Sequence, residues 1–235
     1  MGTLEWLKTQ KEYRLDQWLF CEDKWLFREA CKGGHLERLK WLRGEGCTWD
    51  DGTSSWAAQS GHLEALKWLR SEGCPWNVYT CSSAAEGGHL EVLKWLRSEG
   101  CPWDEYTCHW AAEKGHLKCL QWAQSEGCLW SDFTCQLAAQ FGHLECLQWA
   151  RNKGCPMEEF QTSAVAAGGG HLRVLKYLRR EGCAWNKNAA LKAAEGGHLE
   201  TLRWLRYKGC PWDEAACRSH GKPNIVRWMD DLDAL

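Results

Sequence analysis

The dipeptide Gly-His returns along this chain at 34–35, 61–62, 88–89, 115–116, 142–143, 170–171 and 197–198. Successive histidines stand 27 residues apart, except for one step of 28 between His143 and His171. A degenerate eighth copy has Gly221-Lys222 in place of Gly-His and Trp228 in place of Trp204. A fixed period between roughly 20 and 50 residues marks a stacked array, in which each unit buries its apolar face only against its neighbours. A chain so patterned folds as a solenoid, without one central core.

Residues 101–127 show what is stacked. Asp104 predicts an N-cap, with a first helix from about Glu105 to Lys114. Asp50, Asn77, Ser131, Asn186 and Asp213 hold the same place. Gly115 suits the left-handed residue that ends a helix. A second, longer helix then begins near His116, with Leu117, Leu120 and Ala123 at apolar spacing and Cys119 and Trp122 widening the face. Gly127 closes it, as do Gly46, Gly73, Gly100, Gly154, Gly182 and Gly209 in their units. No stretch alternates with the period of two that a half-buried strand requires. The predicted class is all-α, a helix–turn–helix repeat solenoid.

Two aromatic ladders run through the pattern. One lies on the second helices, at Trp41, Trp68, Trp95, Trp122, Trp149, Tyr177, Trp204 and Trp228. The other lies in the connections, at Trp49, Trp76, Trp103, Trp130, Trp185 and Trp212, with Met157 in the gap. Large rings that recur at fixed repeat positions are expected to bridge neighbouring units rather than to form a stacking platform for a ligand.

The cysteines number 15, and seven follow a glycine: Cys47, Cys74, Cys101, Cys128, Cys155, Cys183 and Cys210. Equivalent atoms on stacked helices lie about 8–10 Å apart. Disulfides need Cα atoms within about 7 Å, and zinc needs its ligands nearly in contact, so this ladder cannot pair or chelate along itself. The expected role is that of a small buried side chain, and many unpaired thiols suit a reducing compartment, cytoplasmic or nuclear. The spacing Cys-x6-Cys at 74/81, 101/108, 128/135 and 210/217, with Cys119 and Cys146 nearby, leaves one alternative. This is a thiol-rich metal-binding or redox-responsive protein.

Lys plus Arg is 29 against 31 for Asp plus Glu, a balance that argues against nucleic-acid binding. No run of about eighteen apolar residues suggests a membrane span, and the N-terminal stretch lacks the apolar region of a signal peptide. Seven of the nine histidines belong to the Gly-His ladder and are expected to bond nearby backbone. Neither a Ser-His-Asp set, a phosphate-cradling loop nor a zinc-finger spacing appears, so the reading is non-enzymatic, with no cofactor and no metal ligands.

These units resemble the ankyrin repeat. Ala57-Ala58-Gln59-Ser60-Gly61-His62-Leu63-Glu64-Ala65-Leu66-Lys67-Trp68-Leu69 is similar to the family's helix–turn–helix signature. The Gly-Cys-Pro-Trp-Asp stretch is similar to its Gly-Ala-Asp-Val-Asn, and Tyr106-Thr107-Cys108-His109 stands where the family has Thr-Pro-Leu-His. The resemblance covers residues 24 to 229, with divergent, Trp- and Cys-rich units of the kind found in large DNA viruses and unicellular eukaryotes. The 27-residue unit is shorter than the family's usual 33 or so, so the projecting β-hairpin is expected to shrink to a compact turn.

The resemblance implies a protein partner along the concave face lined by first helices, contacted by the two residues before each Gly-His. Carried over, these are Gln59, Ser60, Glu86, Gly87, Glu113, Lys114, Gln140, Phe141, Gly168, Gly169, Glu195 and Gly196. Phe141 is the sharpest of them, an aromatic where other units are small or polar. The expected protein is a monomeric scaffold or adaptor with no nucleic-acid or membrane partner.

Along the chain, residues 1–23 read as an N-terminal capping region, 24–220 as tandem repeats and 221–235 as a degenerate last repeat and C-terminal cap. No Pro- or Gly-rich linker interrupts the repeats. Regularity fails at 155–171, where Met157 and Glu158 replace the tryptophan and the N-cap, one residue is added, and Gly168-Gly169-Gly170 is expected to end the first helix, as a hinge or as a drifted loop. Pairs such as Glu64–Lys67 and Glu91–Lys94 predict a solvated outer face.

Overall fold

The computed structural model describes residues 23–233, apart from residue 51. The expected N-terminal cap therefore lies almost wholly outside the described residues. Those residues form sixteen helices and no strand. They fall into two compact units, Met1–Trp103 and Asp104–Leu235.

The first unit holds α1 (Asp23–Lys32), α2 (Leu36–Gly44), α3 (Thr53–Gln59), α4 (Leu63–Ser71), α5 (Val78–Glu86) and α6 (Leu90–Ser98). The second holds α7 (Tyr106–Glu113), α8 (Leu117–Ser125), α9 (Asp132–Gln140), α10 (Leu144–Asn152), α11 (Glu159–Gly168) and α12 (Leu172–Arg180). It continues through α13 (Lys187–Gly196), α14 (Leu199–Tyr207), α15 (Glu214–His220) and α16 (Pro223–Asp233). Odd helices are the first of each pair and even helices the second. Within each unit, successive odd helices pack side by side and each leans on the even helix that follows it.

Side-chain size explains this division. Odd helices bury paired alanines, such as Ala57 and Ala58, Ala111 and Ala112, or Ala138 and Ala139, so their backbones lie close. Even helices bury leucine pairs at i and i+3, such as Leu66 and Leu69 or Leu93 and Leu96. Each such leucine contributes about 1.5–3 kcal/mol on leaving water.

The turn inside each pair is a clamp between repeats. Gly34 has φ +63° and Gly61 φ +78°, a region that side chains resist. A Cβ on Gly34 would also strike the His62 ring, and one on Gly61 the His89 ring. The His62 Nε2 lies 2.9 Å from the Lys32 carbonyl at the end of α1, a C-terminal carbonyl with no intrahelical donor. In the second unit His171 bonds the Gln140 carbonyl in the same way. The histidine thus holds the preceding repeat, a longer reach than the local turn closure expected from sequence.

Connections are compact turns, as the short period predicts. Asn77 accepts from Tyr79 N at 2.9 Å while Thr80 Oγ1 accepts from Asn77 N at 3.3 Å, a reciprocal capping box. Ser131 and Thr134 repeat it at 3.3 and 3.4 Å. Several connection tryptophans are sandwiched between an arginine and a second indole. Arg70 lies 4.0 Å above Trp76, whose edge meets Trp95 with centroids 6.0 Å apart. Arg179 lies 4.3 Å above Trp185, which meets Trp204 at 5.7 Å. The predicted outer face is present, with Lys67–Glu64 at 2.8 Å and Lys94–Glu91 at 2.9 Å, all well exposed.

The irregular stretch is more orderly than its sequence suggests. Helix α11 runs through Gly168, Gly169 stays helical at φ −82°, and only Gly170 turns left-handed, as every Gly-His does. The glycine run therefore makes no break beyond the ordinary one. Disorder in the pattern lies at the other end of α11. Glu158 makes no side-chain cap, α11 has 10 residues against 9 in α9, and the buried Thr162 Oγ1 has no partner.

Candidate interaction surface

Counting back from each Gly-His histidine, three positions at −10, −6 and −3 share one face of the odd helix, because i, i+4 and i+7 align along an α-helix. In α7 they are Tyr106, Trp110 and Glu113; in α9, Phe133, Leu137 and Gln140. In α11 the same count gives Gln161, Val165 and Gly168, and the added residue leaves Phe160 one place ahead of them. Tyr106, Phe133 and Phe160 are 51%, 58% and 49% exposed, whereas even-helix leucines such as Leu120, Leu147 and Leu175 are buried. Tyr79 holds the same position on α5 and is 62% exposed.

In the first unit this face encloses a cleft of about 470 Å³ between α3 and α5, lined by Gly52, Trp56, Gln59, Tyr79, Ser83 and Glu86. Gly52 stands where other repeats carry the aromatic, and the missing ring leaves the space. Gln59 Nε2 donates to Glu86 Oε2 at 2.8 Å across the cleft. The Trp56 ring carries Arg28 at 4.2 Å and Lys32 at 5.0 Å.

The residues carried over from the resemblance fall at the C-terminal end of this same face. Gln59, Ser60 and Glu86 are half-buried in the first unit. In the second, Glu113 pairs with Lys114 at 2.9 Å and Lys114 lies 5.2 Å from the Trp110 ring. Gln140 is exposed, Phe141 is 43% exposed, and Glu195 pairs with Lys192 at 2.7 Å. Glycines at these positions do different work. A Cβ on Gly87 would strike the Gln59 carbonyl, and one on Gly169 the Gln140 carbonyl, so these glycines permit close approach of consecutive turns.

The exposed aromatic row escaped sequence reading although its signal was present, at 27-residue spacing from Tyr79 to Phe160. The mixture of Tyr and Phe, and its loss at Gly52 and Asn188, hid it beside the longer tryptophan ladders. His109 joins two of its members, with centroids 5.5 Å from Tyr106 and 6.2 Å from Phe133, and its Nε2 lies 3.1 Å from Ser131 Oγ. Burial pushes its pKa below the usual histidine range, so it is a neutral bridge between repeats.

The thiols are engaged structurally. Sγ of Cys101, Cys128, Cys155 and Cys210 donates to a carbonyl of the preceding repeat, that of Asn77, Asp104, Ser131 and Asn186, at 3.7, 3.2, 3.3 and 3.5 Å. Cysteine therefore serves as a small side chain that also satisfies a buried carbonyl. All described cysteines but Cys47 are buried. Burial raises Cys119 and Cys146 to about 11, and the Cys108 thiol, donating to Cys128, rises far above its usual range. Among the described residues no three His, Cys, Asp or Glu side chains converge as metal ligands. The thiol-metal alternative finds no support here.

No protein-family model matches the sequence, and no curated protein matches it. Solved structures do match in shape. The crystal structure of the human ASB11 ankyrin repeat domain superposes with a TM-score of 0.56, over 76% of this chain and 96% of that one, at 17% identity. The fold is ankyrin-like. No described helix is long and apolar enough to cross a membrane.

Proposed function

We propose that this chain is a non-catalytic protein-interaction module, a scaffold or adaptor, that seats a partner along the faces of its odd helices. One observation carries the reading. Positions −10, −6 and −3 change chemistry from repeat to repeat and hold exposed aromatics, while the Gly-His, Cys and Trp positions between them are fixed by packing. Exposed large apolar side chains grouped on one face are what interfaces use, with aromatics supplying most of the energy. Gln59, Ser60 and Glu86 in the first unit, and Glu113, Lys114, Gln140 and Glu195 in the second, are the polar margins of these faces, with Phe141 as an aromatic contact in the second. The many buried thiols suit a reducing intracellular compartment, cytoplasmic or nuclear, and the module acts as a monomer.

Affinity capture from source cells tests this with two baits. One is the wild type; the other carries Gln59→Ala, Lys114→Glu and Phe141→Ala and is first shown to melt normally. A protein kept by the first and lost by the second is the expected result. Equal capture by both would remove the odd-helix face from consideration.

A further inference from the structure

The chain is close to neutral, with 29 basic and 31 acidic residues, but its charges are not evenly spread. Residues 104–113, 130–140 and 157–168, the first helices α7, α9 and α11 with their lead-ins, carry Asp104, Glu105, Glu113, Asp132, Glu158 and Glu159 and no lysine or arginine. Three times an acidic residue directly precedes an exposed ring: Glu105-Tyr106, Asp132-Phe133 and Glu159-Phe160. Asp104 caps α7, Asp132 accepts from Gln136 Nε2 at 2.7 Å and Glu159 from Ala184 N at 2.8 Å. Those donors are neutral and leave the charge in place. Glu113 has Lys114, whereas the described ion pairs of this unit include none on Glu105, Asp132, Glu158 or Glu159.

A ring face beside a carboxylate is a complete site for one guanidinium, which stacks on the ring and directs its N–H donors to the oxygens. The molecule already uses the stacking half of this chemistry in its connections, where Arg206 lies 4.0 Å above Trp212. Packed helices are about 8–10 Å apart. An extended polyproline-type chain rises about 3.1 Å per residue, so every third side chain advances about 9 Å and meets the next helix.

We propose that α7, α9 and α11 bind an extended, arginine-rich segment of a partner protein, one arginine to each repeat, stacked on Tyr106, Phe133 and Phe160 and neutralised by the acidic residues of these helices and their lead-ins. This rests on the protein-binding reading above and names the chemistry of its partner.

Calorimetric titration of the full chain with a synthetic (Arg-Ser-Pro)₄ peptide tests it. Lys-Ser-Pro and Glu-Ser-Pro versions, and a peptide with the same arginines at alternate positions, serve as comparisons. The third-residue arginine peptide binds tightest, lysine binds several-fold more weakly, and the glutamate peptide does not bind. Phe133→Ala lowers affinity about tenfold. Glu105→Gln with Glu158→Gln lowers it and flattens its salt dependence. Glu145→Gln, an exposed carboxylate on α10, leaves it unchanged. No binding, equal binding of all peptides, or indifference to Phe133→Ala in a normally melting variant would overturn the proposal. If such a failure accompanied capture of a cellular protein sensitive to the triple variant, only the arginine chemistry would fall. Failure of both experiments would remove the binding face itself.

Discussion

Residues 128–154 and 155–182 are consecutive repeats of the second unit with differently built connections. In the first, Trp130 meets Trp149 edge-on at 5.6 Å and Ser131 completes a capping box with Thr134. In the second, Met157 replaces the tryptophan, Glu158 offers no side-chain cap, and Thr162 is left without a partner. Arg151, with no indole to cover, bonds Cys183 Sγ at 2.9 Å instead. Yet Ala138, Ala139 and Leu147 in the first and Ala166, Ala167, Leu175 and Leu178 in the second are all buried, and Gly142 and Gly170 have φ +80° and +74°. The clamp and the helix interiors specify the repeat, whereas the connection adjusts to what it is given.

That contrast can be broken most severely at the clamp. Gly142→Ala and Gly170→Ala each force a side chain into the left-handed region and against the next repeat's histidine. Denaturant melts should show losses of about 2–4 kcal/mol for both. A mild effect at Gly170 alone would mean that the irregular repeat has loosened its clamp. Next is His171→Ala, which strips the Gln140 carbonyl of its donor and should cost about 1–3 kcal/mol. Burial holds the His171 imidazole below the usual histidine range. Its contribution is therefore complete above the unfolded value of about 6.5 and is lost as pH falls through the lower folded value. Melts between pH 7 and pH 5 should show a shallower acid loss in His171→Ala than in the wild type.

A finer test sets one threonine against another. Thr134→Val removes a capping partner and should cost about 1 kcal/mol, while Thr162→Val removes only an unpaired buried hydroxyl and should be neutral or stabilising. Equal losses would show that Thr162 is satisfied after all. Smallest is Arg179→Ala, which uncovers Trp185 and should cost about 0.5–1 kcal/mol.

The repeat, its two helices and its missing fingers were legible because period, caps and left-handed glycines are local signals. Histidine's reach was not, since the Lys32 carbonyl it meets lies 30 residues earlier and only stacking brings the two together. Arginine–tryptophan stacks such as Arg70 on Trp76 were hidden for a related reason, because a six-residue offset from helix into turn matches no helical spacing. On the candidate surface, the −3 and −2 positions include Gln59, Glu86 and Phe141 but neither Tyr106 and Phe133, at the other end of the same face, nor Phe160 at the start of α11. Gly87 and Gly169, which the resemblance places among these variable positions, are each fixed by a neighbouring carbonyl.

The division of labour between buried ladders and exposed odd-helix rings is tested most directly by one thermal melt. A variant carrying Tyr106→Ser, Phe133→Ser, Phe141→Ser and Phe160→Ser should melt within about 3 °C of the wild type, since rings this exposed give up little buried apolar surface. A fall of more than about 8 °C would show that the rings hold the stack together, and would contradict their assignment as a surface kept for a partner.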